Sequence, residues 1–215
     1  MRLAAAPFGQ RSKTFLTPRA LHDVEPSDEE LMRRFQTGQG DAFPVLVQRH
    51  RARVFGFVLR LTQERSRAED VLQETWLRVV RGAAAYQPTA KFTTWVYTIA
   101  RNACADSARR ERHRAAEPLE EEPPDGGTPW SDPERSAGSA ELRPLLEAAV
   151  AALPEEQREV FLLRELAGIP FAEIARMTGA PEPTVKSRMR YALLALQKHL
   201  GTAGVDVALD GRTAS

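Results

Sequence analysis

Lys186, Ser187, Arg190 and Tyr191 share one side of the stretch PTVKSRMRYALLAL. Two cations, a hydroxyl and an aromatic phenol at those spacings can grip phosphates and hydrogen-bond base edges. Their alternative reading is an ordinary solvated face of an amphipathic helix. A second stretch, FTTWVYTIARNACADSARR, interleaves aromatics with Arg101, Arg109 and Arg110, a composition suited to a polyanion with exposed bases. Just upstream, AEDVLQETWLRVV carries carboxylates beside Trp76, which makes a poor nucleic-acid surface and a good protein surface. One chain thus joins two DNA-directed surfaces to one directed at a protein.

The elements that position these groups read as helices throughout. Ser27 followed by Asp28, Glu29 and Glu30 predicts a capped helix start, with Leu31, Met32 and Phe35 as its apolar stripe. Gly38 and Gly40 end it. A second helix is expected over 42–61, with Phe43, Leu46, Val54, Phe57 and Leu61 at helical spacing. A third spans 67–80 and is stopped by Gly82, and a fourth runs from Phe92 to about Arg114. Helices over 141–153 and 155–166 are separated by Pro154. The segment AEIARMTGAPEPTVKSRMRYALLAL predicts a helix-turn-helix: Gly179 suits a left-handed turn, and Pro183 suits the first turn of the second helix. Val185, Met189, Ala192 and Leu196 then face inward. Arg164, ahead of this motif, fits a phosphate contact and an ion pair with Glu165 or Glu159 equally well.

Composition bounds the rest. The 215 residues contain one cysteine, Cys104, which excludes an internal disulfide and a cysteine-rich zinc site and agrees with a reducing compartment. No apolar run approaches the ~20 residues of a bilayer span, so a soluble intracellular protein is expected. The net charge of +1 hides regional differences: +2 over 1–26, +6 over 27–114, −7 over 115–141, +1 over 142–200 and −1 over 201–215. The acidic, proline-rich region reads as a linker that cannot bury enough apolar area to order itself. Its length allows a reach of about 85 Å when extended at ~3.3 Å per residue. The expected organisation is all-α. A leader (1–26) precedes a helical domain (27–114), an acidic flexible linker (115–140), a smaller helix-turn-helix domain (141–200) and a loose tail (201–215).

In this order, AEDVLQETWLRVV, FTTWVYTIARNACADSARR, an acidic linker, LPEEQREVFLLRELAGIPFAEIA and TVKSRMRYAL resemble the extracytoplasmic-function (ECF) group of bacterial RNA polymerase sigma factors over about 27–200. The resemblance implies a first domain that binds core polymerase and the minus-ten element and assists melting. It implies a second that reads the minus-thirty-five element. Asp70, Gln73 and Glu74 would meet the clamp helices of the largest polymerase subunit, and the flap of the second-largest subunit would be a further contact. Trp76 is either their aromatic anchor or part of the core. Gly82, Tyr86, Ile99 and Asn102 would form a pocket for a flipped base, with stacking by Tyr86 worth ~1–3 kcal/mol. Lys91, Arg101, Arg109 and Arg110 would neutralise minus-ten phosphates, and Arg164, Lys186, Ser187, Arg190 and Tyr191 would serve the minus-thirty-five element. Trp95 reads as core. Pro183, Arg190 and Tyr191 depart from the usual family pattern, which bears on promoter preference. No cofactor or metal is implied. The partners are core polymerase, promoter DNA and an anti-sigma protein, which could hold a cytoplasmic protein near the membrane without its insertion.

The main rival is a helix-turn-helix operator binder that never engages polymerase. It leaves AEDVLQETWLRVV and the aromatic-basic helix without a use. An enzyme has still less support. The four histidines are dispersed, and neither a glycine-rich phosphate loop nor metal-ligand spacing is present. Cys104 reads as a packing residue.

Overall fold

The computed structural model describes residues 25–115 and 142–203, and all regular structure there is helical. The helices are α1 (Asp28–Gln36), α2 (Ala42–Thr62), α3 (Arg65–Gly82), α4 (Phe92–Ala115), α5 (Leu142–Ala151), α6 (Glu155–Phe161), α7 (Phe171–Thr178) and α8 (Glu182–Thr202). The expected elements are present within a few residues, with α4 and α8 extending slightly beyond their anticipated ends. The leader to residue 24, the linker from 116 to 141 and the tail from 204 lie outside the described residues.

Local chemistry starts and stops these helices. Ser27 Oγ accepts from the Glu30 backbone N–H at 3.1 Å, and three acidic residues occupy the first turn of α1. Gln63 ends α2 in the left-handed region at φ 59°, its N–H donating to the Leu59 carbonyl. One expectation is corrected. The helix anticipated over 155–166 is α-helical only to Phe161, and Leu162–Leu166 is a π-turn whose i→i+5 bond joins Ala167 N–H to the Leu162 carbonyl at 3.2 Å.

Helices α1–α4 pack around Met32, Leu46, Phe57, Val79 and Phe92, all essentially inaccessible to water. Each such side chain contributes roughly 1.5–3 kcal/mol relative to exposure. Phe57 meets Tyr97 edge-on at 5.2 Å between ring centroids, tying α2 to α4. Asp28 braces α1 against α2, one carboxylate oxygen 2.7 Å from His50 Nε2 and the other accepting from Arg49. Helices α5–α8 enclose Leu163, Ile169, Ile174, Val185 and Met189. Arg158, buried on α6, donates to the Ala151 carbonyl at 2.7 Å, and desolvation lowers its pKa. The groups are not isolated: α2 packs against both α6 and the π-turn.

Candidate nucleic-acid and polymerase interfaces

On α3 the inward residues Ala68, Val71, Leu72, Thr75 and Val79 turn Asp70 and Gln73 outward, as the helical period demands. Asp70, Gln73 and Glu74 line one groove with Arg67, Leu77 and Arg110 between α3 and α4. Glu74 is engaged within it. Arg78 Nε donates to Glu74 at 2.7 Å and Arg78 Nη1 donates to Asp106 of α4 at 2.8 Å. That bond holds the Glu74 carboxyl below its ordinary pKa, and the same arginine does so for Asp106. Arg78 therefore clamps α3 to α4 under the acidic face, a role readable from its i+4 spacing to Glu74 and absent from the expected site. Leu77 and Val80 are exposed beside it. Trp76 is half-buried with its ring edge-on to Phe43, and its indole N–H is buried without a partner.

The residues expected to form a base pocket lie at the end of α3, in the loop after it and on α4. Gly82 permits a close approach: a β-carbon there would lie 3.3 Å from the Trp95 ring. Tyr86 is buried, 6% exposed, with its ring 4.8 Å from Trp95 and 6.2 Å from Phe92 between centroids. Its hydroxyl donates to the Ala90 carbonyl at 3.3 Å, and desolvation pushes its pKa up to about 12. In this arrangement Tyr86 offers no free face, so base stacking by it requires the loop to open. Gln36 of α1 holds that loop, donating at 2.8 Å to the carbonyls of both Ala83 and Tyr86. No sequence pattern marked this glutamine, because its partners lie 47 and 50 residues away. Trp95, expected in the core, is partly buried and packs against it, while Ile99 is half-buried and Asn102 exposed.

The cations divide. Lys91, Arg109 and Arg110 are exposed, and Arg109 donates to Asp106 at 3.2 Å. Arg101 is not free, since its Nε donates to Glu159 of α6 at 2.7 Å. That pairing engages Glu159, one of the two carboxylates expected as an ion-pair partner of Arg164. Arg164 instead lies over the Phe171 ring, 4.6 Å from its centroid, and donates to the Ile169 carbonyl at 3.4 Å.

In the helix-turn-helix, Gly179 takes φ +70° between α7 and α8. Pro183 sits in the first turn of α8, where its missing N–H costs nothing. Val185, Met189, Ala192 and Leu196 face the core, leaving Lys186, Ser187, Arg190 and Tyr191 exposed on a continuous surface. Lys186 pairs with Glu182 at 3.0 Å and lies 5.9 Å from the Phe171 ring centre. Phe171 therefore brings Arg164 toward the head of α8. Arg190 stacks on Tyr191 with 5.1 Å to the ring centre. Cys104 is buried, and desolvation first, then the Glu159 charge, push its thiol pKa to about 12. Among the described residues, no group of His, Cys, Asp or Glu is arranged to hold a metal, and no helix is long and apolar enough to cross a membrane.

Comparison with known proteins agrees with this division. Residues 46–114 match the Sigma-70 region 2 family and residues 143–196 the Sigma-70, region 4 family. The RNA polymerase sigma factor CarQ of Myxococcus xanthus is 35% identical over 177 residues, 82% of this chain and 99% of that protein. The ECF RNA polymerase sigma factor SigM of Mycobacterium tuberculosis is 34% identical, covering 85% of this chain and 90% of SigM. The fold is shared with CnrH, solved with the cytosolic domain of CnrY (TM-score 0.56, 21% identity, 81% of this chain and 97% of CnrH). It is shared too with RpoE of Bartonella quintana, solved with the anti-sigma factor NepR (TM-score 0.60, 22% identity, 74% and 96%). A carboxylate-bearing α3, an aromatic-basic α4 and a helix-turn-helix ending in α8 occur together here, and this chain is a member of the ECF RNA polymerase sigma factors, initiation subunits that bind core polymerase and direct it to promoters.

Proposed function

We propose that residues 27–114 form the domain that docks on polymerase and engages the minus-ten element, and that 141–200 form the domain for the minus-thirty-five element. The carrying observation is the segregation of surfaces: Asp70 and Gln73 stand exposed on the groove between α3 and α4, while Lys186, Ser187 and Arg190 stand exposed on α8 behind the Gly179 turn. Asp70, Gln73 and Glu74 meet the clamp helices of the largest subunit through charge-assisted hydrogen bonds, with Leu77 supplying apolar area. Lys91, Arg101, Arg109 and Arg110 neutralise phosphates of the melted region. Asn102, Ile99, Gly82 and Tyr86 receive an unstacked base once the 83–86 loop moves, and its unstacking, a few kcal/mol, is offset by the new contacts. Arg164, Lys186, Ser187, Arg190 and Tyr191 serve the upstream duplex.

The protein works in the bacterial cytoplasm and is held in check by an anti-sigma protein. Support for that partner comes from the fold shared with RpoE of Bartonella quintana, solved bound to the anti-sigma factor NepR. The deciding experiment is run-off transcription with core polymerase on genomic fragments, with permanganate probing of the start region. Discrete start sites with reactive thymines are expected. Protection of duplex DNA by the chain alone, with no start sites in the presence of core, would instead identify an operator-binding regulator.

A further inference from the structure

One face of α1 holds the segment between α3 and α4 from both ends. Glu29, Met32 and Gln36 recur at i, i+3 and i+7, so they share one side of the helix, its two polar ends roughly 10 Å apart at ~1.5 Å per residue. Met32 is wholly buried between them. Gln36 Nε2 donates at 2.8 Å to the Ala83 carbonyl and at 2.8 Å to the Tyr86 carbonyl, which uses both of its amide hydrogens. Glu29 Oε1 accepts from the Phe92 backbone N–H at 3.0 Å, at the first residue of α4. The two contacts differ in kind. Glu29 satisfies a donor that the start of any helix leaves unpaired, which is a structural duty. Gln36 is itself exposed and joins carbonyls of one short turn, Ala83 to Tyr86, that water can also serve, so its bonds exchange at small net cost.

We propose that Gln36 is the positioning residue of the base-capturing loop: it keeps residues 83–86 shut with Tyr86 turned inward, and its two bonds are what a captured base must displace. This role rests on the assignment of Gly82, Tyr86, Ile99 and Asn102 to an unstacked base. With the loop shut, Tyr86 packs against Trp95 and Phe92 and has no face to offer. Release at Gln36 leaves the far end of the segment fixed at Glu29. Tyr86 then moves out while α4, which carries Ile99 and Asn102, stays in place. The pocket is thus completed only by a ligand that compensates for the lost contacts. An unpaired base that stacks on Tyr86 and bonds Asn102 does so; a base already stacked within duplex does not. Gln36 lowers the affinity for every unpaired base by the same factor, the reciprocal of the open fraction, and so sets a threshold that a poorly fitting base fails to pass.

Nitration of the full-length chain by tetranitromethane, mapped on peptides by mass spectrometry, reads the loop. The three tyrosines control one another, since Tyr191 is 51% exposed, Tyr86 6% and Tyr97 2%. In the wild type only Tyr191 should react rapidly. Gln36→Met has similar length and no donor, and Gln36→Glu sets a carboxylate against the two carbonyls. Each should speed nitration of Tyr86 about fivefold while Tyr97 stays protected. Glu29→Gln keeps an acceptor oxygen for the Phe92 N–H and should leave Tyr86 as it is in the wild type. Rapid nitration of Tyr86 in the wild type, or its equal protection in both Gln36 variants, overturns the hold. Loss of protection at Tyr97 together with Tyr86 overturns it too, because the glutamine would then merely support the fold. A second measurement reads the base. Core polymerase carrying each chain is titrated with fork-junction DNA from a mapped start region, with an abasic nucleotide at each unpaired position in turn. At one position Gln36→Met should widen the affinity ratio of base over abasic fork by about fivefold, with binding to upstream duplex unchanged. Tyr86 released but the ratio unchanged at every position removes the base-pocket assignment, and the capture role with it, while the hold on the loop stands as nitration reports it.

Discussion

On the proposed assignment Asp70 faces polymerase and Lys186 faces DNA, so their substitution should separate the two activities. Asp70→Arg reverses the charge of an exposed side chain of α3 without touching the core, so polymerase binding should be abolished with an unchanged circular dichroism spectrum. Lys186→Ala should do the reverse, weakening binding to upstream duplex and reducing the slope of log affinity against log salt by about one, as loss of a single phosphate contact requires. Fluorescence anisotropy over a salt series, beside a core-binding assay, reads both. Gly82 differs from either because its role is spatial. A branched side chain there meets the Trp95 ring, which Tyr86 and Phe92 hold from other sides. Gly82→Val should cost about 1–3 kcal/mol in denaturant unfolding. Helical spacing placed Lys186 outward in the sequence, and the family resemblance singled out Asp70; both are exposed. The inward position of Tyr86 was not visible, because an aromatic in a loop reads the same whether it faces a base or packs under Trp95.

At the scale of the element, periodicity placed α1–α4, α7 and α8 within a few residues, since each buries one apolar stripe at a spacing the chain displays openly. The π-turn after α6 escaped this reading. Leu162, Leu163 and Leu166 fit an α-helical stripe as well as a π one, and only the way Leu163 and Ile169 both reach the core reveals the extra residue. The turn of the helix-turn-helix was legible because its chemistry is specific. Gly179 at φ +70° has open space around the position of a β-carbon, so replacing it exposes a purely conformational cost. Gly179→Ala should lower stability by about 1–2 kcal/mol through the left-handed backbone alone. Since α8 is carried by that turn, minus-thirty-five binding should fall further than stability does. Duplex binding measured well below the melting temperature would show the difference.

The whole molecule brings together groups that no local pattern pairs. Arg101 and Glu159 are separated by 58 residues, and nothing in either helix announces the other. The first helical group also buries side chains that must stay neutral. Cys104 has its pKa raised to about 12 by desolvation and then by Glu159, while Tyr97 and Tyr86 are pushed to about 12 by desolvation above all. Each holds its proton more tightly in the fold than in the unfolded chain. Its contribution is therefore complete below the unfolded pKa, near 9 for the thiol and near 10 for the phenols, and is lost as pH climbs toward 12. The melting temperature should accordingly hold through neutral pH and begin to fall near pH 9, with a steeper decline above pH 10. Cys104→Ala keeps a small apolar side chain at this site while removing the thiol, so it should delay the onset to near pH 10 and leave the steeper phase intact. Melting curves of the two proteins that coincide from pH 8.5 to 10 would show that the thiol ionises as readily in the fold as outside it. In that case Cys104 would have to meet water through the seam between α4 and α6.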